Sequence, residues 1–540
     1  MFLRLKAPEL LPETDRQLEL SIEDKKCGFH IVNSLKSNFA SLTTDQQNLI
    51  EPWLSRPNLQ KSIVSPSGFF RVHYDTTGGN VPSYNSGLTI DENVLEVINA
   101  LEFTFNFEVD SLGFPSPPTD NGVGGDDRYD VYIENQIGGL YGYTEWENKI
   151  STNRWTTFIV LDDNYTGYFS SGVSGLKATV AHEFHHAIQL GSYGIENSNG
   201  PFRDSDVFFY EITSTAMEEF VYDDINDYYQ YMDSYFRRTE RAFSLQNGYN
   251  LAIWNIYLVK RFGFDLLKQQ WELIPNQIAI TAISNSLFIY GSSFPRELNE
   301  FGIWTHYTNY RSVPGLYFEE AMNYPLVSTT TTVQFTPPSQ IANMSSAPVA
   351  NNFVHFSVIN NSDSLVAIVT NGDAGAAASN SNQFFPFQYT LFSNSTAGNR
   401  KLTDDYSSDF SAANNQFWSV SEILNNIVVR RDSIINPPAG SVSYAYPNPF
   451  GYNKTYLSGS FISFPLNADL GETVDFNIYS SAMQLVYSSE KTIQILPGDQ
   501  RGVSWNGLDN DGKKLASGVY VYVTKSGDDV ETGKVVIFNE

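Results

Sequence analysis

One five-residue stretch constrains this chain more than any other: His182-Glu183-Phe184-His185-His186, set in a run with helical spacing. Leu176, Val180, Ala187 and Ile188 recur so that one face would be buried. The spacing predicts a helix from about Ser174 to Leu190, with Ser174 as N-cap and Gly191 as the stop. His182 and His186 then stand at i and i+4, and both imidazoles leave the same side of the helix one turn apart. Two nitrogens placed in this way suit one tetrahedral zinc ion. Glu183, one position on, is angled to polarise water at such an ion without ligating it. His185 points off that face and reads as packing or as support for its neighbours.

The surroundings fit a folded site. A β-like run, Trp155–Leu161, precedes the helix, and a second helix is predicted over Phe208–Phe220. On it, Glu211, Thr215, Glu218 and Tyr222 share one stripe. Glu211 follows His186 by 25 residues (211 − 186). The His-Glu-x-x-His helix followed by Glu211-Ile212-Thr213-Ser214 resembles the gluzincin clan of zinc peptidases, more narrowly a group of secreted bacterial ones. In that clan a glutamate on a second helix completes a His-His-Glu site. The resemblance spans about Gly68 to Arg311 and implies Glu211 as third ligand. Glu218 would orient a histidine or reach the same metal, and Glu219 reads as a solvated acidic face. No histidine occurs in the six residues after His186, so the longer metzincin pattern is absent. The resemblance further implies a zinc-dependent endopeptidase with Glu183 as general base. Trp155–Leu161 would be the edge strand that lines the cleft and pairs with an extended peptide. Such an enzyme needs a donor to the oxyanion, for which His306, Tyr222, Tyr228 and Tyr229 are candidates, each with a structural reading as well.

Cys27 is the single cysteine, followed by Gly28. Ahead of a peptidase domain it resembles the cysteine switch of metallopeptidase proforms, in which a thiolate fills the open zinc position. A buried structural cysteine is the plainer reading. The loop Asp120–Asp130 carries carboxylates and glycines that suit calcium, though a plain acidic loop accounts for them as well.

The expected architecture is multidomain α+β. Residues 1–65 form a helical N-terminal segment open to a propeptide reading. Residues 66–312 form the zinc peptidase domain, a small sheet plus helices, with a helix near Asp91–Phe107 capped by Asp91. Residues 313–437 form a β-sandwich and residues 438–540 a C-terminal Ig-like β-sandwich. In the last part, Tyr446-Pro447-Asn448-Pro449-Phe450 and Ser517-Gly518-Val519-Tyr520 resemble the sorting domains of type IX secretion substrates. That implies the secretion machinery as a partner and a secreted or cell-surface location.

A net charge of −27 with few basic clusters argues against nucleic acid as a partner. No run is long and apolar enough to span a membrane. The first residues lack the apolar core of a signal peptide, which the tail resemblance attributes to the start of the sequence. The alternative to a peptidase is a catalytically silent surface-binding protein or adhesin.

Overall fold

In the computed structural model the chain divides into two compact units, Met1–Val429 and Arg430–Glu540. Apart from isolated positions, the described residues are 26–136, 140–196, 200–335, 349–358, 391–394, 401–404, 450–452, 461–466, 468–480, 483–496, 500–527 and 529–539. Among the described residues, helix and sheet are mixed in the first unit, and the second is built from strands.

Among the described residues, the first unit begins with α1 (Phe29–Ser37) and α2 (Thr44–Ile50), followed by strands β1 (Lys61–Val64) and β2 (Phe70–Tyr74). Helix α3 (Ile90–Phe105) leads to β3 (Tyr129–Ile133), β4 (Gly142–Ser151) and β5 (Arg154–Leu161). The long helices α4 (Val173–Tyr193) and α5 (Val207–Val221) come next. Five further helices complete the part: α6 (Tyr229–Arg237), α7 (Ala252–Phe262), α8 (Phe264–Leu273), α9 (Ala279–Ile289) and α10 (Phe294–His306). The strands form one sheet in the order β1-β2-β3-β5-β4. The three central strands run parallel and the two edges antiparallel. β3 and β5 are buried along almost their whole length, as parallel strands covered on both faces must be. Helix α4 packs on β5 and β4, with α3 and α5 against its other sides. Helix α4 is enclosed from Gly175 to Gly191, so its buried histidines, Glu183 and Gln189 must find partners inside the protein.

Several expectations shift. Trp155–Leu161 is not the edge strand: it lies between β3 and β4, and the edge belongs to Gly142–Ser151. Helix α4 starts after Gly172 without a side-chain cap and runs through Gly191. A Cβ at Gly191 would stand 2.8 Å from Pro118 Cδ, so this glycine permits close packing and does not stop the helix. Helix α3 is capped by Thr89, whose hydroxyl accepts from the Glu92 N–H while the Glu92 carboxylate accepts in return. Asp91 is inside the helix. The boundary expected at residue 65 falls within the sheet, because Lys61–Val64 pairs with β2.

Two more strand pairs follow, parallel β6 (Thr331–Phe335) with β7 (Val354–Val358) and antiparallel β8 (Leu391–Asn394) with β9 (Lys401–Asp404). Most of the sandwich expected over 313–437 lies outside the described residues, as do Val366–Val369, the linker at 435–440 and residues 446–449.

The second unit holds β10 (Phe450–Gly451), β11 (Ile462–Pro465), β12 (Thr473–Ser480), β13 (Leu485–Thr492), β14 (Gln494–Leu496), β15 (Gln500–Trp505), β16 (Gly518–Ser526) and β17 (Asp529–Phe538). They form a five-stranded sheet, β10-β17-β16-β12-β13, and a three-stranded sheet, β11-β15-β14. Phe464, Phe476, Trp505 and Tyr522 share their core. Val474, Phe476 and Ile478 alternate inward along β12, as expected of a half-buried strand. Asp509-Asn510-Asp511-Gly512 is a turn closed by the Gly512 N–H donating to the Asp509 carbonyl, 3.1 Å. Among the described residues no helix is long and apolar enough to cross a membrane.

Candidate metal centre

Helix α4 presents His182 and His186 on one face, and α5 crosses it with Glu211 opposite them. His182 Nε2 and His186 Nε2 are 3.1 Å apart. Glu211 Oε2 lies 3.2 Å from the first and 3.4 Å from the second. Cys27 completes the group: its sulfur and the three other donor atoms all lie within 4.8 Å of one another, and all four residues are buried. Donors bound at about 2.0–2.3 Å to one tetrahedral ion stand roughly 3.3–3.8 Å apart, close to this spacing.

The outer nitrogens explain why the inner ones converge. His182 Nδ1 donates to Glu218 Oε1 at 2.8 Å. His186 Nδ1 donates to Gln189 Oε1 at 2.7 Å. With each Nδ1 holding its proton, each Nε2 presents a lone pair to the centre. Four lone-pair donors facing one point repel unless a cation stands among them. Glu183 and Glu211 each keep one buried carboxylate oxygen without a hydrogen bond, which also marks unmet demand for positive charge. Without a cation, protons compensate. Burial works against a charged His182, but Glu211 and Glu218 outweigh it and push its pKa up to about 9. Burial pushes the Cys27 thiol up, and the Glu183 and Glu211 carboxylates push it further. Zinc would reverse that balance for the thiol. The donor set of sulfur, two imidazoles and a carboxylate fits zinc.

Glu183 sits beside the thiol, fixed by Thr144 Oγ1, which donates to its Oε2 at 2.9 Å. Gly142 lets β4 come this close to α4: a Cβ there would stand 2.7 Å from the Val160 carbonyl oxygen and 3.5 Å from Glu183 Cγ. Glu218 is buried, and with one oxygen on His182 and the other on Lys26 it orients a histidine as expected. Glu219 is not a solvated face. It is 8% exposed, and burial, with Glu320 and Asp223 close by, pushes its pKa up to about 9. His185 turns away as expected, its Nδ1 2.7 Å from Glu108 Oε2.

The four residues expected to include the oxyanion donor have partners other than the cluster. The Tyr222 hydroxyl donates to the Ala100 carbonyl. Tyr228 donates to Glu320, Tyr229 packs on Tyr228 and Tyr324, and His306 neighbours Arg311. Sequence reasoning missed Tyr249. Its ring centroid is 6.1 Å from that of His182, and its hydroxyl is buried without a hydrogen bond. Burial, then Glu211 and Cys27, raise its pKa, so it remains a donor. Gly248 (φ +94°) makes the approach possible, since a Cβ there would stand 2.5 Å from Glu211 Cβ. Asn247-Gly248 marks a turn in the sequence, but nothing local says that the turn reaches the histidines. In the loop open to a calcium reading, Asp120 and Asp130 pair with Arg56, and Asp126 with Arg71 and Arg128. That is the arrangement of an ion-paired loop.

Residues 36–277 match a family described as "Family of unknown function (DUF6055)". No curated protein matches the chain. Two solved structures from Porphyromonas gingivalis show local likeness. PorZ, a surface component of the type-IX secretion system, is 17% identical with a TM-score of 0.14, over 25% of this chain and 16% of its own. Dimeric latent PorU is 19% identical with a TM-score of 0.14, over 18% of this chain and 9% of its own. This chain therefore spans a small part of either protein, and likeness at this level decides neither fold nor function.

Proposed function

We propose that this chain is a zinc-dependent endopeptidase of gluzincin type, secreted or held at the cell surface. One observation carries the reading: two imidazoles with outer nitrogens locked by Glu218 and Gln189 converge with Glu211 on one buried point, beside Glu183, whose Oε1 has no hydrogen bond. His182, His186 and Glu211 would hold the metal. Zinc in such a site supplies Lewis acidity and makes water a nucleophile near neutral pH. Glu183, aimed by Thr144, takes the proton of the attacking water and delivers it to the leaving amine. Tyr249 offers its hydroxyl to the oxygen that becomes negative. The secreted location and the secretion machinery as partner rest on the tail resemblance, carried by a unit that folds as a β-sandwich.

A second reading has an observation of its own. With Cys27 included, the site has four protein donors, the closed set of a structural metal. The protein would then be a silent surface binder. Glu183→Gln separates the two. Zinc content by elemental mass spectrometry should stay at about one per chain, while hydrolysis of an unfolded protein falls by about 10²–10⁴-fold. Hydrolysis that persists undiminished would remove Glu183 from the proposed role.

A further inference from the structure

Resting on the peptidase reading, we propose that residues 26–36 are a removable internal inhibitor occupying the substrate site. The segment engages the site at three points. The Cys27 sulfur takes the fourth position at the metal, beside Glu183, where attacking water has to stand. Phe29 closes over it, its ring stacked on His186 at 4.3 Å and 8°.

The second point is the free edge of β4. The Gly28 N–H donates to the Gly142 carbonyl at 2.9 Å. The Asn33 amide donates to the Thr144 carbonyl at 2.7 Å and accepts from the Trp146 N–H at 3.2 Å. The Lys36 ammonium donates to the Trp146 carbonyl at 2.6 Å. These outward groups are the ones an extended peptide needs in order to join the sheet.

The third point is a cation pocket. The Lys26 ammonium is buried between Glu218 Oε2 at 2.8 Å and Asp227 Oδ2 at 2.7 Å, and 4.6 Å from the centre of the Tyr141 ring. Once vacated, the pocket would leave two buried carboxylates without a counter-charge. It therefore takes a lysine or arginine side chain of a substrate peptide. Release requires one cut in the exposed stretch around residues 43–46. A second peptidase adds water across that bond, leaving a new carboxylate and a new amine.

The test uses the full chain loaded with cobalt(II). Cys27 is the single cysteine, so a thiolate-to-cobalt charge-transfer band reports on it alone. The band is expected in the intact protein. It should be absent from Cys27→Ser and lost when the wild type is cut at a protease site engineered into residues 43–46. In the zinc form, cutting should raise hydrolysis of an unfolded protein at least about tenfold. Peptides with lysine should be cleaved faster than their norleucine counterparts, and Asp227→Asn should erase the difference. A band that survives cutting, or an intact chain as active as the cut one, overturns the inhibitor and leaves the peptidase reading standing. Zinc-loaded protein inert both cut and uncut overturns both readings. Equal rates on lysine and norleucine peptides overturn the cation pocket.

Discussion

Two histidines three positions apart on α4 teach opposite lessons. His182 and His185 are both buried, and each Nδ1 meets a buried carboxylate, Glu218 at 2.8 Å and Glu108 at 2.7 Å. They differ in what the other nitrogen faces. His182 Nε2 looks onto Glu211 and His186. His185 Nε2 has no hydrogen bond, and its ring is walled by Phe114 and Trp271. Burial drives the His185 pKa down, with the His186 and His182 charges adding to it, while the carboxylates around His182 drive that residue up. A carboxylate partner therefore does not mark a ligand. What sets His182 apart is that several donors converge on its Nε2.

Zinc content gives the largest contrast. His182→Ala and His186→Ala should each retain well under one zinc per chain, while His185→Leu keeps about one. Loss of zinc from His185→Leu would collapse the comparison. Next comes Tyr249→Phe, which should lower kcat by about 10²–10³-fold with KM little changed. A change confined to KM would move Tyr249 from the reacting centre to substrate binding.

Smaller effects sharpen the His185 side. His185→Leu alone strands Glu108 in the core, and chemical denaturation should show a loss of about 1–3 kcal/mol. Adding Glu108→Leu should restore most of that, because the pair is then replaced by apolar groups. No recovery in the double variant would mean that the pair does more than satisfy itself. The last contrast concerns Glu219. Its folded pKa of about 9 lies above its ordinary value of 4.5, so between those values the folded state binds the extra proton. Stability contributed by this group is present at pH 4.5 and lost as pH rises toward 9. Glu219→Gln should therefore raise Tm over wild type by a margin that grows from pH 5 to pH 8.5. An equal margin at both ends would show that Glu219 does not titrate in this window.

The parts of this contrast legible in the sequence are those set by short-range periodicity. His182, Glu183 and His186 share a helix, and i,i+4 spacing alone places them. A second helix places Glu211 and Glu218 on one stripe, and the resemblance to zinc peptidases, not the periodicity, singles out Glu211 as the ligand. Residues brought in by tertiary contact were less legible. The spacing of Cys27 from the histidines says nothing about its reaching them, and only its Cys-Gly context hinted at a latch. Tyr249 arrives on a short turn shaped by Gly248. The edge strand β4 was missed because it is buried over Gly142–Glu145 and exposed beyond Glu147, so no single period describes it. Gly191 was misread as a stop because a glycine selected for close packing against Pro117 and Pro118 looks the same in sequence as one selected for conformation.

The covered edge of β4 has a consequence for the protein as a material. A strand edge with bare N–H and C=O groups is a template for other strands, including those of a second copy. While Gly28 and α1 lie along Gly142–Trp146, that template is capped within the chain. Freed of this cover, the protein should become prone to self-association as its concentration rises. The segment would then serve as a solubility guard during synthesis and storage, and colloidal stability would fall at the moment the edge is laid bare.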